Sequence, residues 1–174
     1  TGNGVTCTVS TSAVGDNCSS SMTTITASGN YTGDTSAAGY TNDFTSYTCA
    51  EGDSIYTPNS KDMVFKLSLS TEAYVVAEIT QASFSDSDLA LTSTCGTSAL
   101  VCGDDNATGL LSMVSKILTA GTYYLIVDGY GTTNQGTFTL AVDIFPKCTS
   151  DSQCTSSQVC EYLTQTTKYC TPKC

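Results

Sequence analysis

The sequence predicts an all-β fold, an antiparallel β-sandwich or jelly roll of about eight strands, followed by a disulfide-rich C-terminal tail. Three observations carry this reading. First, Tyr123, Leu125 and Val127 alternate with Tyr124, Ile126 and Asp128, and Phe138, Leu140, Val142 and Ile144 alternate with Thr137, Thr139, Ala141 and Asp143. That is the period of two of a half-buried strand. The residues between them read DGYGTTNQG, so Ala120 to Phe145 is expected to form a β-hairpin with a long polar tip. Second, similar runs recur at spacings of about 8–12 residues, and no long stretch shows a 3.6-residue apolar period. Third, five of the ten cysteines fall within the last 27 residues.

In chain order, residues 1–49 are a Thr-, Ser-, Gly- and Asn-rich arm with edge strands expected around Met22–Thr26 and Gly29–Thr32. Residues 51–61 are turn-rich, and two good strands follow, Met63–Leu69 and Tyr74–Ile79. Phe84–Leu91 contains SDSDLAL, in which Asp86 and Asp88 share a face if the segment is extended. A polar turn at 103–109 carries Asp104, Asp105 and Asn106, and Leu110–Leu118 leads back to the terminal pair of strands. The sandwich is expected to span residues 1–146, with Phe145-Pro146 as a hinge, and 147–174 to form a separate cysteine-rich module.

Ten cysteines without one histidine argue for disulfides and an oxidising, extracellular setting rather than a zinc site. Cys95 and Cys102 are expected to bridge locally. Cys7, Cys18 and Cys49 on one side, and Cys148, Cys154, Cys160, Cys170 and Cys174 on the other, are odd-numbered sets. One bridge between arm and tail, or one between molecules, completes either set. The first residue, Thr1, is not a methionine and no signal-like segment follows, so removal of an export signal or processing of a larger chain is expected.

The net charge of −10, with six lysines and no arginine, excludes nucleic acid as a partner, because the field repels a polyanion. No apolar run approaches the roughly 20 residues needed to cross a bilayer, so membrane insertion is not expected. No catalytic residue is assigned. Without histidine no Ser-His-Asp or Cys-His arrangement forms, and Thr1, the one N-terminal nucleophile, is followed by a polar, poorly patterned arm.

The positive candidates are oxygen ligands and surface groups. Asp86, Asp88, Asp104, Asp105 and Asp128 place hard carboxylates at one end of a sandwich, which suits Ca²⁺. Asn17, Asn30 and Asn106 stand in Asn-x-Ser/Thr sequons. Tyr130, Tyr40 and Tyr56 are candidate binding-surface residues that could stack on a sugar or a protein.

Asp62-Met-Val-Phe, Ser85-Asp-Ser-Asp-Leu, Cys95 with Cys102-Gly-Asp-Asp, Ala120-Gly-Thr-Tyr-Tyr-Leu-Ile-Val-Asp-Gly-Tyr and Gly136-Thr-Phe-Thr-Leu together resemble the bacterial pre-peptidase C-terminal domain, over roughly Gly29 to Val142. The tail resembles the small cysteine-rich modules that accompany such domains. The resemblance implies a non-catalytic β-sandwich attached to exported enzymes and, in some members, calcium-dependent binding of extracellular polymers. Apart from the resemblance, the dense cysteines, the hydroxyl-rich text and the odd cysteine counts at both ends make the expected function a secreted structural or adhesive protein that self-associates into a filament or surface layer. The alternative is a calcium-stabilised accessory module for an extracellular glycan or matrix protein.

Overall fold

The structure, a computed structural model, describes residues 12–51, 55–105 and 109–173, with only the backbone of Ile55 and Tyr56. Among the described residues there are thirteen strands, one 3₁₀ turn and no α-helix. One sheet has the order β1 (Thr23–Ile25), β5 (Met63–Leu69), β10 (Gly121–Gly129), β7 (Ser87–Thr92), β8 (Ser98–Gly103), β3 (Tyr47–Cys49) and β4 (Ile55–Tyr56). The other runs β12 (Gln158–Tyr162), β13 (Lys168–Pro172), β11 (Thr137–Cys148), β6 (Ala73–Ala82) and β9 (Met113–Leu118), with β2 (Gly29–Asp34) also paired to β11. Most pairs are antiparallel; β1 with β5 and β3 with β8 are parallel, because the arm enters each edge of the sheet alongside its neighbour.

The inward faces follow the period-two pattern. Phe65, Leu67, Leu125 and Val127 of one sheet meet Val75, Ile79, Leu140 and Val142 of the other in a single apolar core. Phe65 lies edge-on to Phe138 across it, with ring centres 6.1 Å apart.

Two strand expectations are corrected. The stretch Ala120–Phe145 is not a hairpin: β10 pairs with β5 and β7, whereas β11 pairs with β6, β2 and β13 in the opposite sheet. The polar segment between them is an arch from one layer to the other, and β5 and β6 are likewise split between layers. Alternation states that one face is buried; it does not state which neighbour supplies the hydrogen bonds. Nor is β10 half-buried. Leu125, Ile126 and Val127 are each 0% exposed, because a second apolar cluster covers the outer face of this sheet. In it Val64, Ala90 and Ile126 pack under Phe44, Tyr47 and Cys49. Phe44 and Tyr47 stack with ring centres 6.1 Å apart. Gly15, with φ of +83°, lets the arm lie against β5, since a Cβ there would stand 2.6 Å from the Val64 carbonyl oxygen.

The cysteines pair as Cys18–Cys95, Cys49–Cys102, Cys148–Cys160 and Cys154–Cys170. The expected local Cys95–Cys102 bridge is therefore corrected. Cys102 lies in β8 beside the parallel strand β3, which brings Cys49 to it, while Cys95 reaches Cys18 in the arm. Cys7 and Cys174 lie outside the described residues. No described bridge joins arm to tail.

The tail also differs from expectation where it leaves the sandwich. β11 continues through Pro146 to Cys148, pairing with β6 as far as Pro146↔Ala73 and then with β13 at Lys147↔Tyr169. The expected hinge is a point inside a strand. Pro146 is tolerated because the Lys147 amide makes the next bond, to the Glu72 carbonyl at 2.8 Å. Tyr74 stacks on Phe145 and touches Tyr169, so aromatic contacts seal the junction.

Candidate functional site

The outer face of the seven-stranded sheet alternates apolar and polar positions like the inner one. On it, Val64, Ile126 and Ala90 belong to the covered apolar cluster, and two residues from each stands an aspartate: Asp62, Asp128 and Asp88. The register aligns them. Asp128 pairs with Asp88. One position beyond the Met63↔Val127 pair, Asp62 faces Asp128, and one beyond Leu89↔Gly103, Asp104 faces Asp88. Four aspartates thus stand in a row across β5, β10, β7 and the end of β8, at the interstrand spacing of about 4.8 Å. Like charges directly opposite one another oppose folding, so such a row favours the protonated, neutral form of its members.

Burial sharpens the conflict. Asp62 is 0% exposed and Asp88 and Asp128 are each 1% exposed. Asp62 Oδ2 accepts hydrogen bonds from the Asp43 and Phe44 amides at 2.8 and 3.1 Å. Asp128 Oδ1 accepts one from the Gly129 amide at 2.7 Å. The other oxygens, Asp62 Oδ1 and Asp128 Oδ2, have no hydrogen-bond partner; nor do Ser60 Oγ and the Tyr47 hydroxyl, which are buried with them.

Loss of hydration pushes the Asp128 carboxyl up to about 9, with the Asp62 and Asp88 charges adding and the Gly129 and Ser60 amides opposing. Burial raises Asp62 to about 7 against its two amide donors, with Asp43 and Asp16 adding. Burial, then the charges of Asp128, Asp62 and Asp88, push the Tyr47 phenol well above its ordinary value, so at neutral pH it is a neutral hydroxyl.

The five aspartates expected as calcium ligands divide into two groups. Asp86, Asp104 and Asp105 converge at the surface, each offering an oxygen within 4.8 Å of the others. Burial and these two neighbours raise the Asp86 carboxyl. Asp88 and Asp128 instead belong to the buried row. Asp62 is the member that sequence reasoning missed. Its only signal is that it continues the outward alternation of Val64 and Lys66 beyond the end of a strand.

Among the tyrosines, Tyr130 at the arch is 58% exposed. Tyr40 is half-buried and its hydroxyl donates to the Val14 carbonyl at 2.8 Å, so its edge is committed to the arm. The Tyr56 side chain lies outside the described residues. Asn30 is exposed on β2. Asn17 closes an Asx turn on Ser19 and Ser20, with its Nδ2 donating to Asp16 Oδ2 at 2.9 Å. Asn106 lies outside the described residues.

A shallow groove of about 910 Å³ beside β2, β6 and β11 is lined by Thr32, Asp34, Thr80, Thr137 and Thr139, with Asp34 as its one acid. It brings together no nucleophile and base.

No family model matches the chain, and no curated protein does. Among solved structures, the fold is similar to the crystal structure of the pre-peptidase C-terminal domain of collagenase from Bacillus anthracis, with 14% identity and a TM-score of 0.48, covering 70% of this chain and 93% of that one.

Proposed function

We propose that this chain is a non-catalytic structural module of the cell exterior. The observation that carries this reading is the placement of its cross-links. Cys18–Cys95 and Cys49–Cys102 close sequence separations of 77 and 53 residues and fasten the covering arm to the outer sheet face, while two more bridges hold the tail. Such bridges persist only where thiols are oxidised, and each long one stabilises the fold by up to about 4–5 kcal/mol through loop entropy. A chain without histidine, cross-linked at both ends of its fold, suits stiffness rather than turnover.

The finer reading is self-association. Strand β9, which among the described residues pairs with β6 alone, presents Met113 and Ile117, 42% and 43% exposed. Light scattering of the oxidised protein over a concentration series tests it, with concentration-dependent growth expected. A monomer at every concentration removes it.

A second reading, favoured by the convergence of Asp86, Asp104 and Asp105 next to exposed Tyr130, is an accessory module that touches an extracellular glycan or matrix protein through a calcium-stiffened end. Retention on polysaccharide or matrix columns, lost in Tyr130→Ala, is the expected outcome; passage through all of them removes this reading.

A further inference from the structure

We propose that this chain associates head to tail: the tip of the C-terminal hairpin of one copy docks on the outer face of the sheet of β6, β9 and β11 in a second copy. This contact deepens the self-association reading and rests on it.

The two outer faces of the sandwich differ. The arm, fastened by Cys18–Cys95 and Cys49–Cys102, covers the face that carries Val64, Ala90 and Ile126. On the opposite face, register places Ile117, Tyr74 and Phe145 in one row, Ser115, Val76 and Asp143 in the next, and Met113 and Glu78 in a third. These side chains point away from the core, because Val75, Val114 and Val142, one residue out of phase, fill it. None of them belongs to a buried cluster. Met113 and Ile117 are 42% and 43% exposed, and Tyr74, Val76 and Phe145 are half-buried.

The matching surface is on the hairpin of β12 and β13. Its last rung is Tyr162↔Lys168, and Lys168 is also paired with Cys148 at the end of β11. The turn lies beyond that rung and β11 runs toward it, so the tip points away from the face of its own copy. Tyr162 and Leu163 there are 66% and 43% exposed. Of the seven large hydrophobic side chains exposed among the described residues, four are Met113, Ile117, Tyr162 and Leu163, so the two patches hold most of the apolar surface still to be covered.

Their charges are complementary. Residues 147–174 hold three lysines and two acids, a net charge of +1, which leaves −11 on residues 1–146. Lys147 is engaged by Glu72. Lys168 lies over the Tyr162 ring at 4.8 Å and Lys173 donates to the Ser156 carbonyl at 2.9 Å, and neither stands in a described ion pair. The tip therefore sets an apolar pair beside cations, and the face sets apolar rows beside Asp143 and Glu78. Two faces meeting each other would bring like charges together, whereas a tip on a face pairs opposite ones. Such a contact is heterologous: each copy gives one surface and receives on another, and growth continues unless a ring closes.

The test uses the oxidised full chain in analytical ultracentrifugation over a concentration series. Wild type is expected to grow beyond a dimer, and raising salt from about 0.05 M to about 0.5 M to weaken the association several-fold. Tyr162→Ser/Leu163→Ser removes the tip. Ile117→Lys and Met113→Lys each block the face, so a folding defect in one leaves the other to report. Tip and face variants are each expected to be monomeric, with the melting temperature of dilute wild type, because the altered side chains are exposed. Mixed, they are expected to form a one-to-one dimer that grows no further, the intact tip of one on the intact face of the other. A tip variant that associates like wild type, or a mixture that stays monomeric, overturns the head-to-tail contact and leaves self-association standing. Wild type that is monomeric at every concentration removes both.

Discussion

The sandwich and the C-terminal hairpin share a hydroxyl-rich composition but hold together by different means. The sandwich has a continuous apolar core from both sheets, and its two bridges fasten a cover onto it. The hairpin of β12 and β13 has a cluster of cysteines for a centre, Cys148, Cys160 and Cys170 with Cys154 against them, while its buried Tyr169 packs on the junction with the sandwich. A segment too small to remove much apolar surface from water relies on cross-links, and the contrast shows how one chain changes its source of stability within a single strand.

The comparison can be broken at its strongest point first. Leu140, 0% exposed at the centre of the core, should cost about 2–5 kcal/mol as Leu140→Ala, seen as a fall in the denaturation midpoint with the tail bridges intact. Removing Cys154–Cys170, which closes a separation of 16 residues, should cost about 3 kcal/mol locally. Amide exchange should then accelerate in β12 and β13 and stay slow in β6 and β11. Equal acceleration in both would show that the hairpin supports the sandwich core.

A smaller effect comes from a part of the sandwich that departs from apolar burial. The Asp62 and Asp128 carboxyls are raised to about 7 and about 9, so the folded state holds protons there that the unfolded chain has released. Their contribution is most favourable below the ordinary carboxylate pKa near 4 and is lost as pH rises through 7 and 9. Chelated protein should therefore unfold at lower denaturant at pH 9 than at pH 5, and Asp128→Asn should flatten that slope. Smallest of all, Lys147→Ala removes a half-exposed ion pair to Glu72 and should shift stability by no more than about 0.5 kcal/mol.

Much of the fold was legible in the sequence because strands declare themselves by alternation. β5, β6, β10 and β11 all stand where period-two runs of Leu, Val, Ile and Phe place them. Pairing was not legible. A long Gly-rich link suits a hairpin tip and an inter-sheet arch equally, and only the packing of β10 between β5 and β7 decides it. The same limit explains the cysteines: Cys95 and Cys102 are near in sequence, yet their partners come from an arm whose path has no periodic signal. The candidate site was half legible. Clustered aspartates drew attention to one end of the sheet, but the row that joins Asp62 to Asp128 and Asp88 exists only through register. Register is a property of neighbouring strands, not of a window of residues.

The passage of β11 through Pro146 has a mechanical consequence. Tension entering at β12 crosses the Cys148–Cys160 bridge directly to the end of β11. That strand is gripped by β6 along nine pairs, from Phe138↔Ala82 to Pro146↔Ala73, and by β2 along six. A pull along its axis loads these rungs together in shear instead of peeling them one by one, so the tail can serve as a handle through which force reaches the sandwich without first unravelling it.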